Sequence, residues 1–499
     1  MLKRSPRTSL ALLLTALAAL AIGVTACGHG SSSGPAGSPA RAIPASAIVY
    51  VQADVDTSSP AWTAFENVSR RFPGWHQVVN DVHHELNARD HGVSFTKDVA
   101  PALGADAAIA VTGIDTSTGK PAWVGYVALR DDSKIESDLK AGKGTAAGTY
   151  NGYAQYREGN GSGQYAAVGN NALFVASDEN TLHTAIDTRR GDDPSLAGDS
   201  TFQQAMAALP ADSLLKGFAD PGKISRLLSM GSFGSQLGIS GSSSASPLTQ
   251  MSKELAGIRS AGFALWAEPG GYRATVQVAT VPGASSSIVQ SLQQNPTLGT
   301  LAPAGSFLFL DGFGSDQGLG QTFSQPSTGA QLKEIQQLTG ISVAHDILPL
   351  LTGEVGAYAA AGQAGGPPRI ALLLKPKDTA AAQTALTDLM HHLTQLEHGN
   401  PQAKLLRWGQ HDGVFAVGTD LSSVQGAVSP LPGSPAWNSL LSAAGAPGDV
   451  RISLYVQVPQ LLALFPIEQN ENLAHVGGIL AWSTVSGNQV SGNLFFQVK

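Results

Sequence analysis

Short apolar runs alternate along this chain with stretches in which apolar residues recur at helical spacing, a pattern that predicts strands and helices in turn. The same order of runs is used twice. Ile43-Pro44-Ala45 leads into Ala47 to Asp54, and Ala302-Pro303-Ala304 leads into Ser306 to Asp311. Asp98 to Leu103 then precedes the run Ala107 to Val111, as Asp346 to Leu351 precedes Val355 to Ala359. Pro121 to Leu129 matches Pro368 to Leu374. Leu173-Phe174-Val175 precedes Asp178, and Phe415-Ala416-Val417 precedes Asp420, each Asp placed to open a helix. Each copy closes on a Gly-Trp strand and a hairpin, Gly262 to Trp266 with Tyr272 to Val278, and Gly478 to Trp482 with Val490 to Val498. The proline opening recurs inside each copy, at Leu209-Pro210-Ala211 and Ala446-Pro447-Gly448. Proline at the first residue of a strand forfeits no ladder hydrogen bond.

Helix signals fall between the strands. Asp132 or Ser133 is expected to cap one helix, with Glu136 closing a capping box. Asp378 is expected to cap another that runs to about Glu397, where Gly399 and Pro401 stop it. Hairpins outnumber crossover helices, so antiparallel pairing is expected. The chain therefore reads as α+β, with two tandem similar domains at 43–280 and 300–499 joined by a linker, 281–299. Each is expected to be a mainly antiparallel sheet with helices packed on one face. The low-complexity stretch 230–250 reads as a loop inside the first domain.

The first 42 residues have a different character. Lys3, Arg4 and Arg7 precede an apolar run, Leu10 to Val24, that is short for a membrane span. Val24-Thr25-Ala26-Cys27 follows. This resembles a bacterial lipobox, which implies cleavage between Ala26 and Cys27 and a diacylglyceryl group on the Cys27 thiol. Cys27 is the single cysteine of the chain, so no internal disulfide is possible. Residues 1–26 thus read as a signal peptide. The Gly/Ser/Pro-rich 27–42 reads as a lipidated tether to the extracytoplasmic face of the cell membrane.

Composition narrows the partners. The chain has 499 residues, 42% hydrophobic and 13% charged, which is enough apolar material for real cores. Removing residues 1–26 takes three bases and no acid. That leaves 27 bases against 37 acids, a formal charge of −10. Such a surface repels phosphate backbones and excludes nucleic acid as a natural partner.

The proline strand openings, the segment Asp98 to Leu103 with its second-copy match, and the lipobox together resemble a family of actinobacterial membrane-associated proteins known only as a domain of unknown function. The resemblance spans nearly the whole mature chain. It implies a duplicated α+β architecture in the cell envelope and carries over no catalytic residue.

Candidate chemistry is sparse. His76 and His83 flank the helical stripe Trp75, Val78, Val79, Val82 and Leu86, while His84 faces away. His391 and His398 share the solvent side opposite Leu386, Leu389 and Leu393. A zinc-binding helix offers two histidines at i,i+4 with a third ligand, and neither helix does so. Asp54-Val55-Asp56-Thr57-Ser58 begins like a calcium loop, but Ser59 and Phe65 stand where Gly and Glu belong. Gly142-Lys143-Gly144-Thr145 lacks the upstream glycine of a phosphate loop, and Gly312-Phe313-Gly314 lacks the third glycine of a dinucleotide turn. Gly30-Ser31-Ser32-Ser33-Gly34 fits a nucleophile elbow but sits in the tether. Trp266, Trp482, Trp75 and Trp437 read as core residues.

No catalytic, cofactor-binding or metal-ligating residue is assigned, and no cofactor is expected. The reading is a lipid-anchored envelope protein, not an enzyme, that binds or scaffolds an envelope protein. The alternatives are a carrier or sensor of a lipid or other apolar ligand, marked by an apolar cavity, and a hydrolase with a dispersed site, marked by a perturbed carboxylate in a cleft.

Overall fold

The computed structural model describes residues 38–89, 100–114, 119–141, 144–157, 163–229, 247–284, 286–314, 336–337, 339–362, 366–396, 406–426, 429–448, 450–464 and 471–499. Ala26, Cys27, Asp98, Lys143 and His398 lie outside them, as does 230–246 of the expected loop. Its last positions instead begin a helix, Pro247–Leu255. The chain divides into two compact units, Met1–Pro282 and Gly283–Lys499. No helix of the described residues is long and apolar enough to cross a membrane.

The strands of the first unit are β1 (Val49–Asp54), β2 (Leu103–Ile114), β3 (Pro121–Leu129), β4 (Thr145–Tyr150), β5 (Tyr153–Arg157), β6 (Tyr165–Gly169), β7 (Ala172–Ala176), β8 (Leu215–Ala219), β9 (Ile258–Glu268) and β10 (Gly271–Thr280). Their order across the sheet is β4-β5-β6-β7-β3-β2-β1-β8-β9-β10, antiparallel throughout. Two-residue turns close β4–β5 at Asn151-Gly152 and β6–β7 at Asn170-Asn171. All four turn residues have positive φ, which matches the twist of the flanking strands. Pro44 forms an isolated antiparallel bridge with Ser195, just before the helix Ser200–Ala207.

The second unit contains β11 (Ser306–Gly314), β12 (Gly353–Ala360), β13 (Arg369–Pro376), β14 (Arg407–His411), β15 (Val414–Gly418), β16 (Arg451–Gln457), β17 (Val476–Ser486) and β18 (Gln489–Val498). Their order is β14-β15-β13-β12-β11-β16-β17-β18, again all antiparallel. Asp412-Gly413, both at positive φ, turns β14 into β15. Pro303 bridges Pro430 shortly before the helix Pro435–Ala443. A short helix, Ser287–Gln293, precedes β11 within the segment expected as a linker.

Helices cover both faces of each sheet, which corrects the expectation of one. In the first unit the helices Glu179–Arg190 and Ser200–Ala207 bring Leu182, Ile186 and Phe202 onto Tyr50, Phe174 and Phe218. The helix Asp132–Ala141 packs Ile135 on Leu103, Leu129 and Val168 on the other side. The cause lies in the strands. Trp123, Val124 and Tyr126 are consecutively or nearly consecutively buried, so both faces need a cover, as in buried sheets.

Local capping follows short-range chemistry. Asp178 accepts from Thr181 N, and Gly191 at φ 88° ends the same helix. Asp378 accepts from Ala380 N and Ala381 N, opening Thr379–Leu396. Asp131, rather than Asp132 or Ser133, caps Asp132–Ala141 through Lys134 N, because Glu136 is drawn away to Tyr156 Oη and Lys140. Asp420 opens only a single 3-10 turn, Ser422–Val424, and pairs its carboxylate with Arg369. Ser59 and Ser434 each cap a helix that begins Pro-Ala-Trp, a tetrapeptide used twice.

Candidate functional site

The strands of the second unit carry large apolar residues on both sides. One side holds Phe309, Tyr358, Leu373, Tyr455, Leu480 and Phe495, closed over by Trp437 and Leu440 of the helix Pro435–Ala443. On the other side the helix Thr379–Leu396 lays Ala382, Ala385 and Leu386 over Leu374 and Phe415. Among the described residues the cover of that helix reaches only that end of the sheet, and the short helix Val458–Leu462 packs against β11, β16 and β17. Beyond the cover of Thr379–Leu396, cross-strand partners form the row Leu372, Ala357, Leu310, Leu454, Ala481 and Leu494, one residue from each of β13, β12, β11, β16, β17 and β18. Leu372, Leu310 and Leu494 are 37%, 44% and 41% exposed. A second row runs beside it, Ile370, Ala359, Leu308, Val456, Ile479 and Phe496, with Ile370 also exposed. Six strands at about 4.8 Å spacing make this aliphatic strip about 24 Å wide. Leu310, Ile370, Leu372 and Leu494 are exposed, Ala357, Leu454 and Ala481 half-buried, and Ala359 and Val456 buried, and exposed apolar positions grouped in this way mark a contact surface for something apolar.

Buried acids lie on the side of Phe309 and Tyr358, which the helix Pro435–Ala443 closes. Asp311 and Glu354 are 7% and 4% exposed. Phe313 is paired with Glu354, so Asp311 sits diagonally from it on the same face. Burial first, and the neighbouring Glu354 second, push the Asp311 carboxyl up to about 8. Glu354 accepts from Thr297 N, Leu298 N and Thr297 Oγ1, and Lys375 Nζ stands 3.8 Å from its Oε2. In the first unit Asp54 is paired with Asp106, and Gln52 lies diagonally from Asp106. Gln52 Nε2 donates to Asp106 Oδ1 at 3.5 Å. Burial, then Asp54, raises Asp106 to about 6, and burial lowers Lys216 nearby. Glu354 spends both oxygens on backbone and Thr297 donors, whereas both Asp311 oxygens are buried without a hydrogen-bond partner among the described residues.

The other residues singled out in the sequence are scattered. Asp54 accepts from Asp56 N and Asp56 from Ser58 N, a turn held by its own side chains. Gly144 N donates to Leu139 O at the end of its helix. His76, His84 and His391 are exposed, and so is Val78 of the expected apolar stripe. Trp482 and Trp437 are buried, whereas Trp266 is half-buried under the guanidinium of Arg273, which pairs with it across β9–β10. A groove of about 500 Å³ beside the helix Pro60–Ser69 is lined by Ser58, Thr63, Asn67 and Arg71 as well as Pro60 and Ala64. Among the described residues, His345, Asp346 and Asp388 place ligand atoms within 4.8 Å of one another. Asp388 and His392 are a carboxylate and an imidazole at i,i+4, a spacing that a two-histidine zinc pattern does not reveal.

Residues 8–402 match the family model described as Protein of unknown function (DUF3352). No curated protein matches the chain. Among solved structures, crystal form III of TP0453 is similar over 51% of this chain and 84% of that one, at 9% identity and a TM-score of 0.28. Crystal form I of TP0453 is similar over 50% and 80%, at 12% identity and a TM-score of 0.27.

Proposed function

The chain belongs to the protein family of unknown function DUF3352, and from that premise we propose that it is a lipid-anchored, extracytoplasmic binding protein without catalytic activity. In this reading residues 1–26 are removed, Cys27 carries the lipid, and 28–42 tethers two duplicated units to the membrane surface. Duplication is supported by strand order, since β6-β7-β3-β2-β1-β8-β9-β10 and β14-β15-β13-β12-β11-β16-β17-β18 follow one connectivity. The bridges of Pro44 and Pro303 support it as well.

The row Leu372–Ala357–Leu310–Leu454–Ala481–Leu494 carries the binding assignment. Its occupant is an acyl chain of a single lipid. The strip is aliphatic, without the Trp, Tyr and Arg anchors that dominate protein interfaces, and its width suits an extended chain. A mature charge of −10 opposes laying this protein flat on an anionic bilayer. The test uses the mature chain with Cys27 replaced by Ser, purified under native conditions. Native mass spectrometry should find co-purifying lipid, and a fluorescent fatty acid should bind saturably. Leu310→Gln with Leu372→Gln should lose both signals. Retention of both by the double variant removes the strip as the site, and loss of a cross-linked envelope protein instead of lipid gives the surface to a protein partner.

A further inference from the structure

Away from the apolar strip, two segments of the second unit converge with ligand atoms. The first is a π-helical turn, Val343–Ile347, that runs directly into the helix Leu348–Leu351. π-turns are uncommon and concentrate at functional sites. Here the turn is fixed at its start, where Ser342 N donates to Asp346 Oδ2 at 2.7 Å and Ser342 Oγ accepts from His345 N at 3.4 Å. The second segment is the helix Thr379–Leu396, which packs against that turn. Asp388 and His392 are four residues apart and so share one side of it.

Four side chains meet there. His345 Nδ1 lies 2.7 Å from Asp346 Oδ1 and 4.0 Å from Asp388 Oδ2. His392 Nδ1 lies 3.8 Å from Asp346 Oδ2. Asp346 is only 2% exposed, and no Lys or Arg is paired with it among the described residues. His392 Nδ1 is itself buried and has no hydrogen-bond partner among the described residues. A buried polar atom without a partner is costly and calls for an explanation. Gly340 has a φ of +74°, and a Cβ there would come within 3.2 Å of His392 Cδ2. Leu386, Leu389 and Leu350 pack behind the site and lower its dielectric.

We infer that His345, Asp346, Asp388 and His392 form a binding site for a divalent transition-metal ion, with zinc as the best match. Two imidazole nitrogens and two carboxylate oxygens are a donor set zinc accepts, and thiolate is absent from the set. Zinc at about 2.0–2.1 Å from four tetrahedral ligands sets them roughly 3.4 Å apart. His345, Asp346 and Asp388 already place ligand atoms within 4.8 Å of one another, and His392, outside that group but 3.8 Å from Asp346 Oδ2, moves inward to complete the set. His345 is largely exposed and free to swing onto the ion. The orphaned His392 nitrogen becomes a ligand, and the buried Asp346 gains a cationic partner.

The experiment uses the mature chain with Cys27 replaced by Ser, carrying no histidine tag and stripped with a chelator. Zinc chloride is titrated by calorimetry, and Co²⁺ is added as a spectroscopic probe. One equivalent should bind, and the cobalt form should show the strong visible bands of a tetrahedral ion. Removing a supporting residue around a metal weakens binding by roughly 10–100-fold, so removing a ligand by His392→Gln or Asp388→Asn should cost about 100-fold or more. His391→Gln, one residue away on the solvent side, should change nothing. Circular dichroism confirms folding. Asp388 is half-exposed, so its variant carries the test if the His392 variant misfolds. Absence of a one-equivalent site, or affinity and cobalt bands unchanged in both ligand variants, overturns the inference.

Discussion

Asp311 lies diagonally from Glu354 across β11 and β12, both carboxyls nearly buried, just as Gln52 lies diagonally from Asp106 across β1 and β2. A carboxyl raised to about 8 is protonated near neutrality, so Asp311 presents a donor as the Gln52 amide does.

This pair makes stability depend on pH with a definite sign. An unfolded Asp titrates near about 4, the folded one at about 8. Between those values the native chain holds a proton that the unfolded chain has released. The pair's contribution is therefore full below about pH 4 and is lost as pH rises through about 8, at on the order of 1 kcal/mol per pH unit. Asp311→Asn keeps a donor beside Glu354 and removes the titration. Urea unfolding at about pH 5 and about pH 8 should show a smaller loss for the variant than for the parent chain. A loss in the variant equal to or larger than that of the parent chain contradicts this.

Exposure separates neighbouring leucines of β13. Leu372 is 37% exposed, so Leu372→Gln gives up only part of a leucine's burial and should cost about 1 kcal/mol, while abolishing acyl-probe binding. Leu373→Ala opens a cavity in the core and should cost about 2–5 kcal/mol. Chemical denaturation of the two variants side by side tests the assignment of faces, and equal costs would refute it.

Two glycines admit a helix onto a strand. A Cβ on Gly478 would stand 2.9 Å from Val456 O and 3.0 Å from Leu440 Cδ2, whereas one on Gly262 would stand 3.3 Å from Ala205 O. Gly478→Ala should therefore destabilise by about 1–3 kcal/mol through overpacking, and Gly262→Ala by less. Thermal melts rank the two, and the reverse order would show that the second unit yields more easily than its packing implies.

Membrane attachment rests on one thiol. Cys27→Ser should release the protein from the membrane fraction and block cleavage before residue 27, since two acyl chains supply the anchoring. Fractionation with an immunoblot reads both effects. A variant that stays membrane-bound and processed would place the anchor elsewhere.

Much of the local structure was legible in the sequence. Pro121 to Leu129 is the strand β3 to the residue, Asp178 and Asp378 cap their helices, and Asp54 forms a turn. Asn151-Gly152 and Asp412-Gly413 are equally plain hairpin signals, and they turn β4 into β5 and β14 into β15. These features depend on residues a few positions apart, and backbone sterics with one or two local hydrogen bonds decide them.

Long-range packing decided the rest. His345 and His392 are far apart in sequence, and only the seating of Thr379–Leu396 on the π-helical turn brings them to one carboxylate. The raised Asp311 likewise depends on which strand lies beside β11. Leu372, Leu373 and Leu374 make the point most simply. The three are identical in chemistry and adjacent in sequence, and composition and pattern assign each of them to a strand. They are 37%, 0% and 1% exposed. Alternation along the strand sends Leu373 to the side closed by Pro435–Ala443. It sends the other two to the opposite side, where Thr379–Leu396 covers Leu374 and stops short of Leu372. The sequence determined that these residues are apolar and extended. Where a helix ends over the sheet determined which of them meets water, because burial belongs to the packing of distant segments rather than to the residue itself.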